Sequence, residues 1–326
     1  MTISEIAKLA GVSSAAVSRY LNDGSLSQEK RQRIEKVIRE TNYRPSEYAR
    51  TMRTKKSNRI GVLVPQIDSE AVPKILSGIS ERMDQKNYHV LLMNSNLSLE
   101  KEIGILETFE QSQVDGLIFV ASILTKRHEV ALAHMGVPVV ILGQKSDRYP
   151  CIYHDDEGAA CAMMTELLKS GCRHPAYIGV DRRDKAAGKS RYQGVCRALE
   201  TYGLHMDEIA YREATFSVQA GYQAMKQILA EEKRPDGVLC ATDMIAAGVL
   251  SCLSERKIAV PEKMKVAGMG HGAIADLLCP RLTTVHYHYH TSGREAADLL
   301  LDLMRKKKPR QEARMLEYEI IRQKTT

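Results

Sequence analysis

Side chains able to grip hydroxyl groups recur in this chain just after short apolar runs. Gln66 and Asp68 follow the run Ile60 to Val64, Gln144 follows Pro138 to Leu142, and Asp243 follows Ala241-Thr242. Tyr153 precedes the acidic stretch Asp155-Asp156-Glu157-Gly158, and Lys185, Lys189 and Arg191 crowd the segment from Asp184 to Arg191. His271 sits in a glycine-rich loop, and Phe216 offers an apolar wall. Recognition of a sugar needs such a set: paired donors and acceptors for its hydroxyls, and an aromatic ring against its apolar face. The same residue types also make surface salt bridges, and for Lys185 and Lys189 that reading weighs as much as ligand contact.

Other chemistries find less support. No Ser/His or Asp/Glu arrangement has the spacing of a nucleophile elbow, a phosphate loop or a zinc protease, so no catalytic residues are expected. The seven cysteines are scattered without a C-x-x-C pair. They read as reduced, mostly buried thiols of a cytoplasmic protein, with no zinc and no cofactor implied. His286, His288 and His290 alternate, which on extended chain would bring three imidazoles to one face and make a metal site conceivable. No carboxylate or cysteine stands beside them in the sequence, so a connector or interface is expected and no metal. The run Lys306-Lys307-Lys308 suits a solvated helix end.

The elements that must position these groups follow from charge and periodicity. A chain of 326 residues is long enough for two or three domains. No run reaches the roughly 18 apolar residues of a membrane span, and the start lacks the order of a signal peptide. Residues 1–58 hold twelve Lys/Arg against six Asp/Glu, which accounts for nearly all of the net +7. A basic head on a near-neutral body fits nucleic-acid contact by the head. In that head Thr2 and Glu5 form a capping-box pattern before Ile3, Ile6, Ala7, Leu9 and Ala10, and Gly11 ends the helix. Ser13 can cap a second helix, Ser14 to Leu21, that buries Val17 and Leu21. A third helix starts at Ser27, with Ile34, Val37 and Ile38 as its core face. Two short helices about a glycine turn, backed by a third, are a helix-turn-helix, whose second helix enters the major groove. Ser46 can cap a further segment, Glu47 to Arg53, that is basic and too short to be stable alone.

This run resembles the lactose/galactose repressor family. The resemblance is carried by Thr2-Ile3 through Ala10-Gly11-Val12-Ser13, by Val17-Ser18-Arg19-Tyr20-Leu21-Asn22, by Asn42-Tyr43-Arg44-Pro45 and by Ala49-Arg50-Thr51-Met52-Arg53. It implies a head at residues 1–45, a hinge helix and linker at 46–58, and DNA contact through Thr2, Ser13, Ser14, Ala15, Ser18, Arg19, Asn22, Tyr43, Ala49, Arg50, Met52 and Arg53. Ser14, Ala15 and Arg19 match the base-reading positions, and of these Arg19 can bind guanine O6 and N7 in two-pronged fashion. Ala49 and Met52 match the positions that enter the minor groove, Met52 as an apolar wedge. Lys30, Arg31, Arg50, Arg53, Lys55 and Lys56 would hold phosphates.

From Arg59 on, apolar strands alternate with amphipathic helices, which means parallel sheets covered on both faces. The theme restarts after residue 156, so the expected class is α/β: two doubly wound parallel-sheet lobes behind the helical head, with a cleft between them. This region resembles the periplasmic-binding-protein-like body of the same family. The resemblance implies lobe 1 at about 59–154 and 287–309, and lobe 2 at about 155–286 and 310–326. It also implies that Arg191 is the arginine that grips the effector. Met269-Gly270-His271-Gly272 departs from the family, where an acidic or amide residue usually follows that strand. Tyr153 to Ala159, Ala187 to Arg191 and Cys240 to Asp243 look most like the sucrose and trehalose regulators. Expected partners are a pseudo-palindromic operator, a sugar or sugar-phosphate effector and a second copy of the chain, with no membrane. The competing reading is a secreted or cytoplasmic sugar-binding protein with no DNA role.

Overall fold

The computed structural model describes residues 1–43, 56–305 and 312–326. It divides into two compact units, Met1–Ser57 and Asn58–Thr326.

The first unit holds α1 (Ile3–Ala10), α2 (Ser14–Leu21) and α3 (Gln28–Thr41). The capping box forms: Glu5 N donates to Thr2 Oγ1 at 3.3 Å and Thr2 N to Glu5 Oε2 at 2.8 Å. Ser13 Oγ accepts from Ala16 N at 3.2 Å, so α2 starts where its cap dictates. Ser27 heads α3 without a side-chain cap bond. Ile6, Val17 and Ile34 are fully buried where the three helices meet, while Leu21, Val37 and Ile38 are half-buried against them. The hinge expectations at Ala49, Arg50, Met52 and Arg53 lie outside the described residues, as do Lys55 and the run Lys306-Lys307-Lys308.

The second unit contains two six-stranded sheets. The first takes β1 (Arg59–Val64), β2 (His89–Asn94), β3 (Gly116–Val120), β4 (Val139–Leu142), β5 (Cys151–His154) and, from the far end of the chain, β11 (Ala313–Leu316). All pair in parallel, in the order β11-β5-β4-β3-β1-β2. Its two faces are covered by α4 (Ala71–Asp84), α5 (Leu99–Gln111), α6 (Lys126–His134) and α12 (Tyr289–Arg305). The second sheet takes β6 (Pro175–Gly179), β7 (Ala210–Glu213), β8 (Gly237–Cys240), β9 (Lys265–Gly270), β10 (Thr283–Tyr287) and β12 (Tyr318–Ile321). Its order is β12-β10-β9-β8-β6-β7, with β12 alone antiparallel. Around it lie α7 (Asp156–Lys169), α8 (Arg191–Thr201), α9 (Val218–Ile228), α10 (Asp243–Glu255) and α11 (Ala273–Leu277). A π-helical turn, Lys185–Ser190, runs into α8.

Three features depart from the sequence reading. The chain crosses between lobes at Asp155, His288 and Glu317; the third crossing therefore lies beyond the expected residue 310. The reason is pairing: β11 adds to the first sheet in register with β5, from Ala313 opposite Cys151 to Leu316 opposite His154. Secondly, the alternating histidines do not share a face. His286 is on β10, while His290 is in the first turn of α12 with Nε2 3.1 Å from Glu81 Oε2. Thirdly, the helical spacing of Ile103, Leu106 and Phe109 predicts that all three point inward on α5, but Ile103 stays half-buried and Glu102 turns in instead. Glu102 Oε1 accepts from Ser95 Oγ at 3.1 Å, and Oε2 lies 2.9 Å from His128 Nε2. Those partners offset the cost of burying a carboxylate.

Close helix contact also fixes what reaches the cleft. A Cβ at Gly78 of α4 would fall 2.1 Å from His290 O, and one at Gly293 of α12 would fall 2.1 Å from Ile75 O. Only glycines let α4 and α12 meet this closely, and both helices then present their first turns to the cleft.

Candidate functional site

In the head, α2 turns Val17 and Ala16 into the core and leaves Ser14, Ala15 and Arg19 exposed. Three of the expected contact residues already have structural work. Thr2 and Ser13 accept cap bonds, and Asn22 Nδ2 donates to Ser18 O at 2.6 Å. Tyr43, expected at DNA, is only 8% exposed and closes the core of the head. Arg31, expected at phosphate, donates to Gly24 O at 3.3 Å and lies over the Tyr20 ring, 5.6 Å from its centroid. The remaining exposed face of α2 is short, polar and cationic, and fits the edges of bases in a groove.

In the body, a cleft opens between the carboxyl ends of the two sheets, where doubly wound folds place ligands. The first lobe supplies Gln66, Asp68, Ser69 and Glu70 from the β1–α4 connection and Ser122 after β3. The second lobe supplies Asp156, Asp184, Arg191 and Thr242, with Phe216 and Met244 as apolar surface. His154 and Tyr289 line it at the crossings.

Arg191 organises this wall. It is 7% exposed, and Nε and Nη2 each stand 2.7 Å from Asp156 Oδ1. Nη1 donates to Ala241 O, and the guanidinium carbon lies 5.1 Å from the centroid of the Tyr287 ring. Three of its five N–H groups are thus used in fixing its direction. The π-helical turn before α8 is held by Asp184, whose Oδ1 accepts from Ala186 N and Ala187 N, both at 2.9 Å. Burial pushes the Asp184 carboxyl up to about 6, against the pull of the Ala187 amide. His154, enclosed by the rings of Tyr287 and Tyr289 at 5.1 and 5.4 Å, is held down to about 4 by burial, so it is neutral near pH 7. Among the described residues of the cleft, Arg191 is the one Lys or Arg, facing Asp68, Glu70, Asp156 and Asp184.

The sequence-predicted set is brought together only in part. Gln66, Asp68, Arg191 and Phe216 line the cleft. Gln144 does not: it is 2% exposed, and neither atom of its amide has a hydrogen-bond partner. Tyr153 packs against the core of the first lobe, because alternation along β5 turns its neighbour His154 toward the crossing. Lys185 and Lys189 are exposed on the π-helical turn, away from the cleft lining. Asp243 is 1% exposed and holds a loop, accepting from Gly272 N at 2.9 Å and from Thr284 Oγ1 at 2.5 Å. His271 sits in that loop with Nδ1 3.0 Å from His286 Nδ1, also off the cleft lining. Sequence reasoning missed Asp156, Asp184, His154 and Tyr289. Asp184 carried a usable signal, an Asp just before a helix start; the other three had none.

Two family models match the chain. "Bacterial regulatory proteins, lacI family" covers residues 2–46, and "Periplasmic binding protein-like domain" covers residues 164–326. The sucrose operon repressor of Staphylococcus xylosus is 35% identical over 302 residues, covering 91% of this chain and 92% of that protein. The HTH-type transcriptional repressor PurR of Vibrio atlanticus is 30% identical over 328 residues, covering 99% of this chain and 98% of its own length. Among solved structures, the lac repressor dimer bound to operator and the anti-inducer ONPF superposes with a TM-score of 0.89 at 25% identity, covering 100% of this chain and 98% of that one.

Proposed function

The chain belongs to the lacI family of bacterial regulatory proteins and is a DNA-binding transcriptional repressor, and from that premise we propose that a neutral sugar bound in the interlobe cleft releases it from its operator. As a regulator of this family it is not an enzyme.

One observation carries the choice of effector. The lone cation of the described cleft, Arg191, is already paired with Asp156, and the other charged groups facing the space are carboxylates. A phosphorylated sugar would need uncommitted arginines or lysines to offset its charge. A neutral polyol needs what is present: carboxylate, amide and hydroxyl groups, a fixed guanidinium, and Phe216 for the ring face. The sucrose-like reading is therefore preferred to the trehalose-phosphate-like one. The name of the Staphylococcus xylosus relative, a sucrose operon repressor, points the same way.

The proposed cycle uses a cytoplasmic homodimer. Two heads read the half-sites of a pseudo-palindrome, with Ser14, Ala15 and Arg19 at base edges, and Met52 from each hinge wedges the centre. A sugar that prefers the closed cleft shifts the lobes and loosens the hinge; one with equal affinity for both states changes nothing. The test is operator binding at fixed salt with sucrose, trehalose, their 6-phosphates, fructose and maltose added in turn. Release by sucrose, or by another neutral sugar, with the phosphates inert supports the reading. Release by a 6-phosphate alone overturns it.

A further inference from the structure

At the edge of the cleft, two hydrogen bonds tie Glu70 and Lys74, at the start of α4 in the first lobe, to the stretch from His271 to Ile274 in the second. Lys74 Nζ donates to His271 O at 2.9 Å, and Ile274 N donates to Glu70 Oε1 at 3.4 Å. The Glu70 carboxylate lies directly against Gly272, where a Cβ would fall 2.0 Å from Glu70 Cδ. The loop is held from below by Asp243 and Thr284: Gly272 N donates to Asp243 Oδ2 at 2.9 Å, and His271 N donates to Thr284 Oγ1 at 3.4 Å. His271 itself takes φ +49°, a left-handed conformation uncommon in non-glycine residues.

Behind this loop stands a row of imidazoles. His271 Nδ1 is 3.0 Å from His286 Nδ1, and the His286 and His288 rings meet edge-on with centroids 4.8 Å apart. We propose that Glu70 and Lys74 latch the first lobe onto the stretch from His271 to Ile274 in the second, and that a proton taken up at His286, behind that stretch, weakens the latch.

The hydrogen bond between the two Nδ1 atoms requires one donor and one acceptor. A first proton leaves one cation and a neutral ring whose Nδ1 can still accept, so its effect is to set a positive charge beside Lys74, which holds His271 O. The other charged groups facing the row are acidic. Asp276 on α11 lies 3.5 Å from His271 Nε2, Glu319 on β12 lies 3.5 Å from His288 Nε2, and Asp243 and Glu70 flank the loop. These acids soften that repulsion. Burial, with His271, His288 and Lys74 adding to it, holds His286 below the ordinary 6.5. Of those causes Lys74 alone belongs to the first lobe: its charge beside a neutral His286 is tolerated in the latched state, and that support is lost as pH falls and His286 takes up a proton. The release therefore runs toward acid.

Hydrogen exchange of the full-length protein, without DNA or sugar, tests this. The readout is protection of the peptide spanning residues 270–278 at pH 7.5 and 5.5, normalised to the intrinsic exchange rate at each pH. The expected result is a loss of protection at pH 5.5 relative to pH 7.5, with the β6 and β8 peptides unchanged. Lys74→Met should lower protection at both pH values. His286→Asn, which keeps a hydrogen-bonding group but does not titrate, should abolish the pH step, and His288→Gln should shrink it. Equal protection of wild type at the two pH values overturns the proposal. So does a step that survives in His286→Asn, or an equal loss in the core peptides. Because no effector is present, failure here leaves the sugar reading intact, and failure of the sugar panel leaves the latch intact.

Discussion

Among the described residues each lobe buries one pair of oppositely ionisable side chains, and the two pairs are arranged to different ends. In the second lobe Arg191 and Asp156 stand at the cleft wall, 2.7 Å apart, with the guanidinium committed to Asp156 and the Ala241 carbonyl yet still bordering open space. In the first lobe Glu102 and His128 lie 2.9 Å apart between α5 and α6, almost wholly buried and outside the cleft lining. Glu102 also takes the Ser95 hydroxyl, and His128 Nδ1 faces the Thr125 hydroxyl at 2.9 Å, so that network is closed on itself. A pair with hydrogen-bonding capacity left at a cavity can report a ligand. A pair whose capacity is exhausted can only hold elements together.

Breaking each pair separates these roles. Arg191→Met should remove the response to sugar, raising the half-maximal concentration by about a hundredfold or more, as expected when a charged hydrogen-bond partner is lost from a desolvated site. Operator binding by the head should persist, and a titration of the operator complex with sucrose checks both. If the response survives with little change, the second-lobe pair is structural and the comparison collapses. Glu102→Ala should instead cost about 3 kcal/mol of unfolding free energy, the lower end for breaking a buried pair, with the half-maximal sugar concentration unchanged. Urea unfolding followed by circular dichroism, beside the same titration, gives both quantities.

The smallest effect concerns Gln144, which the sequence placed at the ligand and the structure places in the interior with an unpartnered amide. Gln144→Met, close in volume and free of the unpaired amide, should raise stability by about 1 kcal/mol and leave the sugar response alone. A lost response would return Gln144 to the ligand-binding set.

The head was the most legible region, because its signals act over three or four residues. The Thr2/Glu5 box, the Ser13 cap and the Gly11 stop each set an end of a helix, and all three appear in the structure. In the body, apolar runs marked β1, β2, β3, β4, β6, β8 and β9. The end of the chain was harder to read. β10 carries Thr283, Thr284 and His286 and looks polar, although Thr283 and Thr284 are fully buried, and β11 and β12 alternate as edge strands do. No local pattern states which sheet an edge strand joins.

The amino-acid sequence by itself determined the family, the helical head, the succession of strands and helices that yields two lobes, and Arg191 as a residue of the cleft. Short-range rules suffice for the helices and strands: caps act within one turn, and burial of one face imposes a period of 2 or 3.6. Only the tertiary structure decided which residues beside each strand end look into the cleft, which buried pair remains open to it, and how the lobes are tied. Those relations join Arg191 to Asp156 across 35 residues, Asp243 to Gly272 across 29 and Glu70 to Ile274 across 204. Partners so far apart are brought together by the packing of whole elements, which leaves no trace in local periodicity.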